Sequence, residues 1–255
     1  MKRFENRVVL ITGAGSGIGQ ATVARILAEG GTVLAADISE EGLGVTRARA
    51  EEAGDADRLT TLVVDVADEN SVQQAIGDAI KQAGKLDVLV NAAGILRSQH
   101  THKTTLEFWN RVLAINLTGT FLVTRECLPE LLRSGHGAVV NFSSTSASFA
   151  HPYMAAYAAS KGGIQAFTHT IALEYAKQGL RAVSVCPGSI QSGMTNDPGL
   201  PADADMMLFA KMSPALMDGG FAGPENVASA IAMFASDDGK FITGTELRID
   251  GGTHM

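Results

Sequence analysis

Tyr157 and Lys161 stand four residues apart in Tyr157-Ala-Ala-Ser-Lys161, with Ser144 upstream of them. In a helix this spacing puts the phenol and the ammonium on one face. A cation beside a phenol favours its ionised form, which brings a group with an ordinary pKa of about 10 closer to working pH. Ser144, just past the apolar run Ala138 to Phe142, adds a neutral hydroxyl donor for a substrate oxygen. Together the three read as proton-transfer apparatus for an alcohol/carbonyl pair. A Tyr/Lys pair is also common on solvated helix faces, so the surrounding elements must decide between the two readings.

Those elements alternate. Short β-branched runs at Arg7 to Ile11, Thr32 to Ala36, Thr60 to Val64, Leu86 to Val90, Gly137 to Phe142 and Arg181 to Cys186 read as strands. Between them, helix-like patterns cover Ile18 to Ala28, Ser71 to Gln82, Phe108 to Leu132 and Ala155 to Lys177. This order argues an α/β fold with a parallel sheet covered on both faces. No linker or break in composition divides the 255 residues, so a single domain over 1–255 is expected.

Composition narrows the function. Hydrophobic residues make up 45% and charged residues 18%, which suits a chain able to bury a large core. The net charge of −7, with no basic cluster beyond the start of the chain, argues against a nucleic-acid partner. Val8 to Ile11 is cut short by Thr12-Gly13, so no signal peptide is expected. No apolar run approaches the roughly 18 residues a membrane helix needs. A cytoplasmic protein with reduced, buried Cys127 and Cys186 is the expectation. No metal is expected either: His100-Thr-His102 lacks a third ligand at close spacing and reads as a solvated loop.

The first strand-to-helix turn is Thr12-Gly-Ala-Gly-Ser-Gly-Ile-Gly19. Its glycines allow a tight turn and close approach of backbone to a pyrophosphate, whose charge the amides of the following helix then meet. The second strand ends at Asp37, a little over the roughly 20 residues from the glycines expected of a ribose-binding acid. A carboxylate there accepts from ribose hydroxyls and repels a 2′-phosphate, and neither Ser16 nor Ile38 brings a basic side chain. NAD is therefore favoured over NADP. Asp37 as a helix cap is the competing reading, but Ser39 is better placed for that role. Asp65, after the third strand, could accept from an adenine amino group or serve as a loop acid. Asn116, inside an apolar helical pattern, is a poor helix former that either caps a kink or joins a polar relay.

With these motifs in order, the chain resembles the short-chain dehydrogenase/reductase family, in its variety of about this length, from Arg7 to Gly252. The resemblance rests on Thr12 to Gly19, Asp65, Asn91 to Gly94, Asn116, Ser144, Tyr157/Lys161, Pro187-Gly188 and Ile249 to Gly252. It implies a single Rossmann-type domain with a doubly wound, seven-stranded parallel sheet, assembled as a homotetramer or homodimer. It implies Tyr157 as general acid/base, Lys161 as holder of the nicotinamide ribose and modulator of the phenol, and Ser144 as polariser of the carbonyl. Asn116 would position a water linking Lys161 to solvent. Cofactor contacts are implied for Gly13, Ser16, Gly17, Ile18, Gly19 and Asp37, and for Asp65, Val66, Asn91, Ala92, Ala93 and Gly94. Tyr157, Lys161, Pro187, Gly188, Ile190 and Ser192 complete that set. Two positions depart from the family pattern: Ala92 replaces an Asn, and Ser192 stands where Thr is common.

The function expected is NAD-dependent hydride transfer between nicotinamide and a secondary alcohol or ketone. The alternatives are an NADPH-dependent 3-oxoacyl-(acyl-carrier-protein) reductase and a non-catalytic dinucleotide-binding regulator. Ser144, Tyr157, His151 and Met194 are the candidate substrate contacts, with His151 equally readable as a loop residue. Residues 189–222 are rich in Met, Phe, Pro and Gly, including Met206, Met207, Phe209, Met212, Met217 and Phe221. They read as a mobile lid over an apolar substrate pocket or as a Met-rich helix packed on a neighbouring subunit.

Overall fold

The computed structural model describes residues 2–210, 212–216 and 220–255. Seven parallel strands form one sheet in the order β3-β2-β1-β4-β5-β6-β7. They are β1 Val8–Thr12, β2 Thr32–Asp37, β3 Leu59–Val63, β4 Val88–Asn91, β5 Ala138–Phe142, β6 Arg181–Pro187 and β7 Thr245–Ile249. The helices are α1 Gly17–Ala28, α2 Glu40–Glu52, α3 (69–83), α4 (106–133), α5 Ala155–Tyr175 and α6 Pro224–Ala235. Alternation along each strand splits the core in two. Val9 and Ile11 pack with Val23 and Ile26 of α1 and Ile231 of α6, whereas Val8 and Leu10 pack with Ile76 of α3, Val123 of α4 and Ile171 of α5. The central strands β1 and β4 are buried on both faces, which is why they read as apolar runs.

Six strands and four helices fall where the sequence places them, within one or two residues at their ends. The two long helical patterns are not uniform. Val72–Ile76 in α3 and Ala114–Thr118 in α4 are π-helical turns. The second contains Asn116, whose side chain is fully buried and bonds back to Ile95 on both its N–H and its carbonyl. An amide that satisfies a loop backbone in this way supports a local widening of the helix. On α5, Ala159 and Ala166 are exposed and a Cβ on Gly162 would meet open space, so this small-residue face is uncovered in the single chain. No helix among the described residues is long and apolar enough to cross a membrane.

The strand order reverses beside β1: from β1 the chain moves outward through β2 to β3, then returns to β4 on the other side. In open α/β sheets the crevice at the carboxyl ends of strands at such a reversal is where ligands bind.

Candidate active site

That crevice holds a cleft of about 800 Å³, walled by the strand ends of β1, β2 and β4 to β6 and by parts of 189–221. Its first half is a cradle. Gly13 has φ 69, and a Cβ there would lie 2.7 Å from the Ala92 backbone, so the turn after β1 can pack against the turn after β4 only as glycine. Ser16 precedes α1 without a side-chain capping bond, which leaves the first amides of the helix open where Gly17, Ile18 and Gly19 line the cleft. An anionic diphosphate fits this donor set. Asp37 lies at the far end of the cradle; its carboxylate accepts from the Gly15 N–H at 2.9 Å and from the Ser39 N–H at 2.9 Å. Ser39, accepting from Gly42 N–H at 3.0 Å, is the cap of α2. Asp65 accepts from Ala67 N–H at 2.9 Å and lines the cleft with Val66, Ala92, Ala93 and Gly94. No described side chain of positive charge lines the cradle beside Asp37 and Ile38.

The second half holds the candidate proton-transfer groups. Ser144 follows β5, and Tyr157 and Lys161 project from one face of α5. All three are buried, at 6%, 8% and 5% exposure, and all line the cleft. The Lys161 ammonium donates to the Phe142 carbonyl at 2.7 Å and lies 5.6 Å from the centre of the Tyr157 ring. The expected lowering of the phenol pKa by Lys161 is corrected here. Burial pushes Tyr157 up to about 12, opposed by the neighbouring Ser144 hydroxyl, and burial brings Lys161 down to about 8. At both groups desolvation is the largest effect.

The sign of Lys161's effect on folding follows. Its folded pKa, about 8, lies below the unfolded value of 10.5, so the folded state resists the charge and loses stability wherever the ammonium is present. That penalty is full below pH 8 and disappears as pH rises to about 10.5. Lys161→Met is expected to be inactive yet to melt above the wild-type chain at pH 7, with the gap closing by pH 10.5. Melting curves of the two proteins across that range check this.

Asn116 does not line the cleft. It connects Ile95, beside Gly94, to Ser160, whose hydroxyl takes its Nδ2–H at 3.1 Å and donates to the Tyr157 carbonyl at 2.7 Å. Its bonds link the loop after β4 to the start of α5. Asn116→Leu leaves the Ile95 N–H and carbonyl without partners, and a loss of about 2–4 kcal/mol in chemical unfolding is expected.

Asn91 is corrected as a cleft contact. Its side chain turns into the sheet interior, donating to Asn141 Oδ1 at 2.8 Å and Thr124 Oγ1 at 3.0 Å. Pro187, Gly188, Ile190 and Ser192 line the cleft after β6, and the Ser192 side chain caps the short helix Gly193–Asn196 through a reciprocal bond pair with Thr195. Met194, Met206, Phe209, Met212 and Phe221 supply apolar wall, whereas Met207 is 78% exposed and Met217 lies outside the described residues. The segment is tied down at Pro198, whose carbonyl accepts from Ser98 N–H, and at Asp205, whose N–H donates to the Tyr153 hydroxyl at 2.8 Å. His100 meets Asp203 at 2.8 Å, and no cluster able to hold a metal ion occurs among the described residues. His151 lines the cleft, as do Thr253 and His254, which nothing in the sequence singled out.

A cradle for a diphosphate joined to a buried Ser/Tyr/Lys set at the ends of parallel strands defines a class, that of dinucleotide-dependent oxidoreductases. The family model described as "Enoyl-(Acyl carrier protein) reductase" matches residues 13–254, and the chain belongs to the short-chain dehydrogenase/reductase family. It is 37% identical to 3-oxoacyl-(acyl-carrier-protein) reductase FabG of Thermotoga maritima, with 98% of each chain covered. It is 34% identical to meso-2,3-butanediol dehydrogenase of Serratia marcescens, covering 98% of this chain and 95% of that protein. A solved levodione reductase superposes with a TM-score of 0.89 at 32% identity, over 98% of each chain. Relatives that act on alcohols and ketones, and the fold they share, make this chain an oxidoreductase of that kind.

Proposed function

We propose that the chain is an NAD-dependent dehydrogenase/reductase of a small secondary alcohol or ketone, with Tyr157 as general acid/base. The observation that carries the reading is the burial of Ser144, Tyr157 and Lys161 together on the wall of the cleft, with the Lys161 ammonium held by the Phe142 carbonyl at the end of β5. When bound, the nicotinamide supplies the hydride donor or acceptor. The protein supplies the proton and the geometry. In ketone reduction, Ser144 donates a hydrogen bond to the substrate oxygen and Tyr157 gives that oxygen its proton; in alcohol oxidation Tyr157 takes the hydroxyl proton back. Lys161 holds a positive charge near the phenol and would hydrogen bond the ribose of a bound cofactor. Asn116, through Ile95 and Ser160, keeps the loop after β4 and the first turns of α5 in register. The described parts of 189–222 that line the cleft close the substrate side as an apolar lid, in a cytoplasmic homotetramer or homodimer.

The second reading, an NADPH-dependent 3-oxoacyl-(acyl-carrier-protein) reductase, draws on the similarity to FabG. Asp37 opposes it, because a 2′-phosphate placed there meets a carboxylate and, among the described residues lining the cradle, no cation. Fluorescence titration with NADH and NADPH, followed by turnover of a panel of secondary alcohols, separates the readings. Tighter NADH binding with alcohol turnover is the expected result; tighter NADPH binding favours the acyl-carrier reading.

A further inference from the structure

Asp250 follows the last residue of β7 and is followed by Gly251 and Gly252, both in the left-handed region at φ 60 and 82. Side chains resist this conformation, and the glycine pair folds the tail back on the sheet. The buried Asp250 carboxylate fastens it, accepting from Gly252 N–H at 3.0 Å, from His254 N–H at 3.2 Å and from His254 Nδ1 at 3.0 Å. Although burial raises the Asp250 pKa, the His254 ring and these amides, with Arg248, hold it below the usual carboxylate range. The His254 ring lies flat on Phe149, with centroids 4.2 Å apart and planes at 19°, and faces His151 at 5.6 Å and 24°. His151 in turn meets Thr145 Oγ1, next to Ser144, at 3.3 Å. His254 therefore lines the cleft, joined through His151 to Thr145 beside Ser144, with its side chain 11% exposed.

An ionised carboxylate only accepts, so Nδ1 carries a proton and the remaining atom, Nε2, has no hydrogen-bond partner among the described residues. In the neutral ring Nε2 accepts; in the charged ring it donates. A hydroxyl does both and satisfies either state, whereas a carbonyl satisfies only one. We propose that His254 binds a second hydroxyl of the substrate, so that the preferred substrate is a diol or hydroxyketone rather than a simple alcohol or ketone. His151 stays neutral beside it, since burial first and the neighbouring His254 second bring its pKa to about 4. The inference rests on the alcohol/ketone reading of the site.

The test compares matched pairs, 2-butanol with 2,3-butanediol and cyclohexanol with the cyclohexanediols, on the wild-type enzyme, His254→Phe and His254→Gln. The wild type should favour at least one diol by about tenfold in kcat/KM, the size of one well-placed hydrogen bond. His254→Phe keeps a ring to stack on Phe149 and should lose that preference through KM. His254→Gln, with a carboxamide near the Nε2 position, should recover part of it. A wild type without diol preference, or a His254→Phe enzyme that keeps it, overturns the proposal. Binding of each pair to the NADH-loaded protein, read from nicotinamide fluorescence, judges His254 even if no alcohol turns over. Tighter diol binding lost in His254→Phe then supports His254 while the hydride-transfer reading falls, and equal binding overturns the role of His254.

Discussion

Tyr157→Phe is expected to lower kcat/KM for alcohol oxidation by roughly 10²–10⁴-fold, the usual contribution of a positioned acid/base group, while the NADH dissociation constant changes little. The argument is steric as well as chemical. The Tyr157 side chain is 8% exposed within a small cluster with Leu96, Val112, Met154 and Ala156, and Phe fills the same volume. Only the hydroxyl is lost. Ser144 keeps its bond from Ser146 N–H at 3.2 Å, so the strand end after β5 should hold its shape. On the proposed mechanism the phenolate is the base, so oxidation should speed up with rising pH and ketone reduction should slow. A pH–rate profile in both directions reads this, and an active Tyr157→Phe enzyme would remove Tyr157 from the mechanism.

The second large effect concerns cofactor choice. Asp37→Ala with Ile38→Arg should shift the NADP/NAD affinity ratio by roughly two to three orders of magnitude. The change removes a like charge and adds an arginine able to pair with phosphate. Ile38 is 67% exposed beside the cradle, so an arginine there has room. Because the Asp37 carboxylate also holds the Gly15 and Ser39 amides, Asp37→Ser with Ile38→Arg serves as the gentler partner variant. Fluorescence titration with both reduced cofactors reports the ratio. An unchanged ratio would mean that Asp37 does not face the ribose.

Much of this site was legible because its parts are local. The glycine turn, Asp37, and the Tyr157/Lys161 pair are each set by neighbours a few residues away and by position at the end of a strand or on one helix face. The seventh strand was not read from its own residues: in Thr245–Ile249 the exposed Glu246 and Arg248 alternate with half-buried neighbours, as an edge strand does, and the segment lacks the apolar run of its partners. The cost of burying Lys161 and Tyr157 was also out of reach, because desolvation depends on what the rest of the chain packs around them. Asn116 was legible as an anomaly, but its partners Ile95 and Ser160 are 21 and 44 residues away. His254 gave no signal; its place is fixed by a tail reversal that only the folded sheet makes meaningful.

The reversal of strand order has a further consequence for how this chain can change. Asp37 closes β2 and Ser144 follows β5, three strand positions away across β1 and β4. At about 4.8 Å per strand they are roughly 14 Å apart, beyond the distance at which substitutions usually couple. Mutations that retune cofactor preference and mutations that retune substrate choice should therefore combine additively in free energy. The two properties can drift, or be engineered, along separate axes of one scaffold.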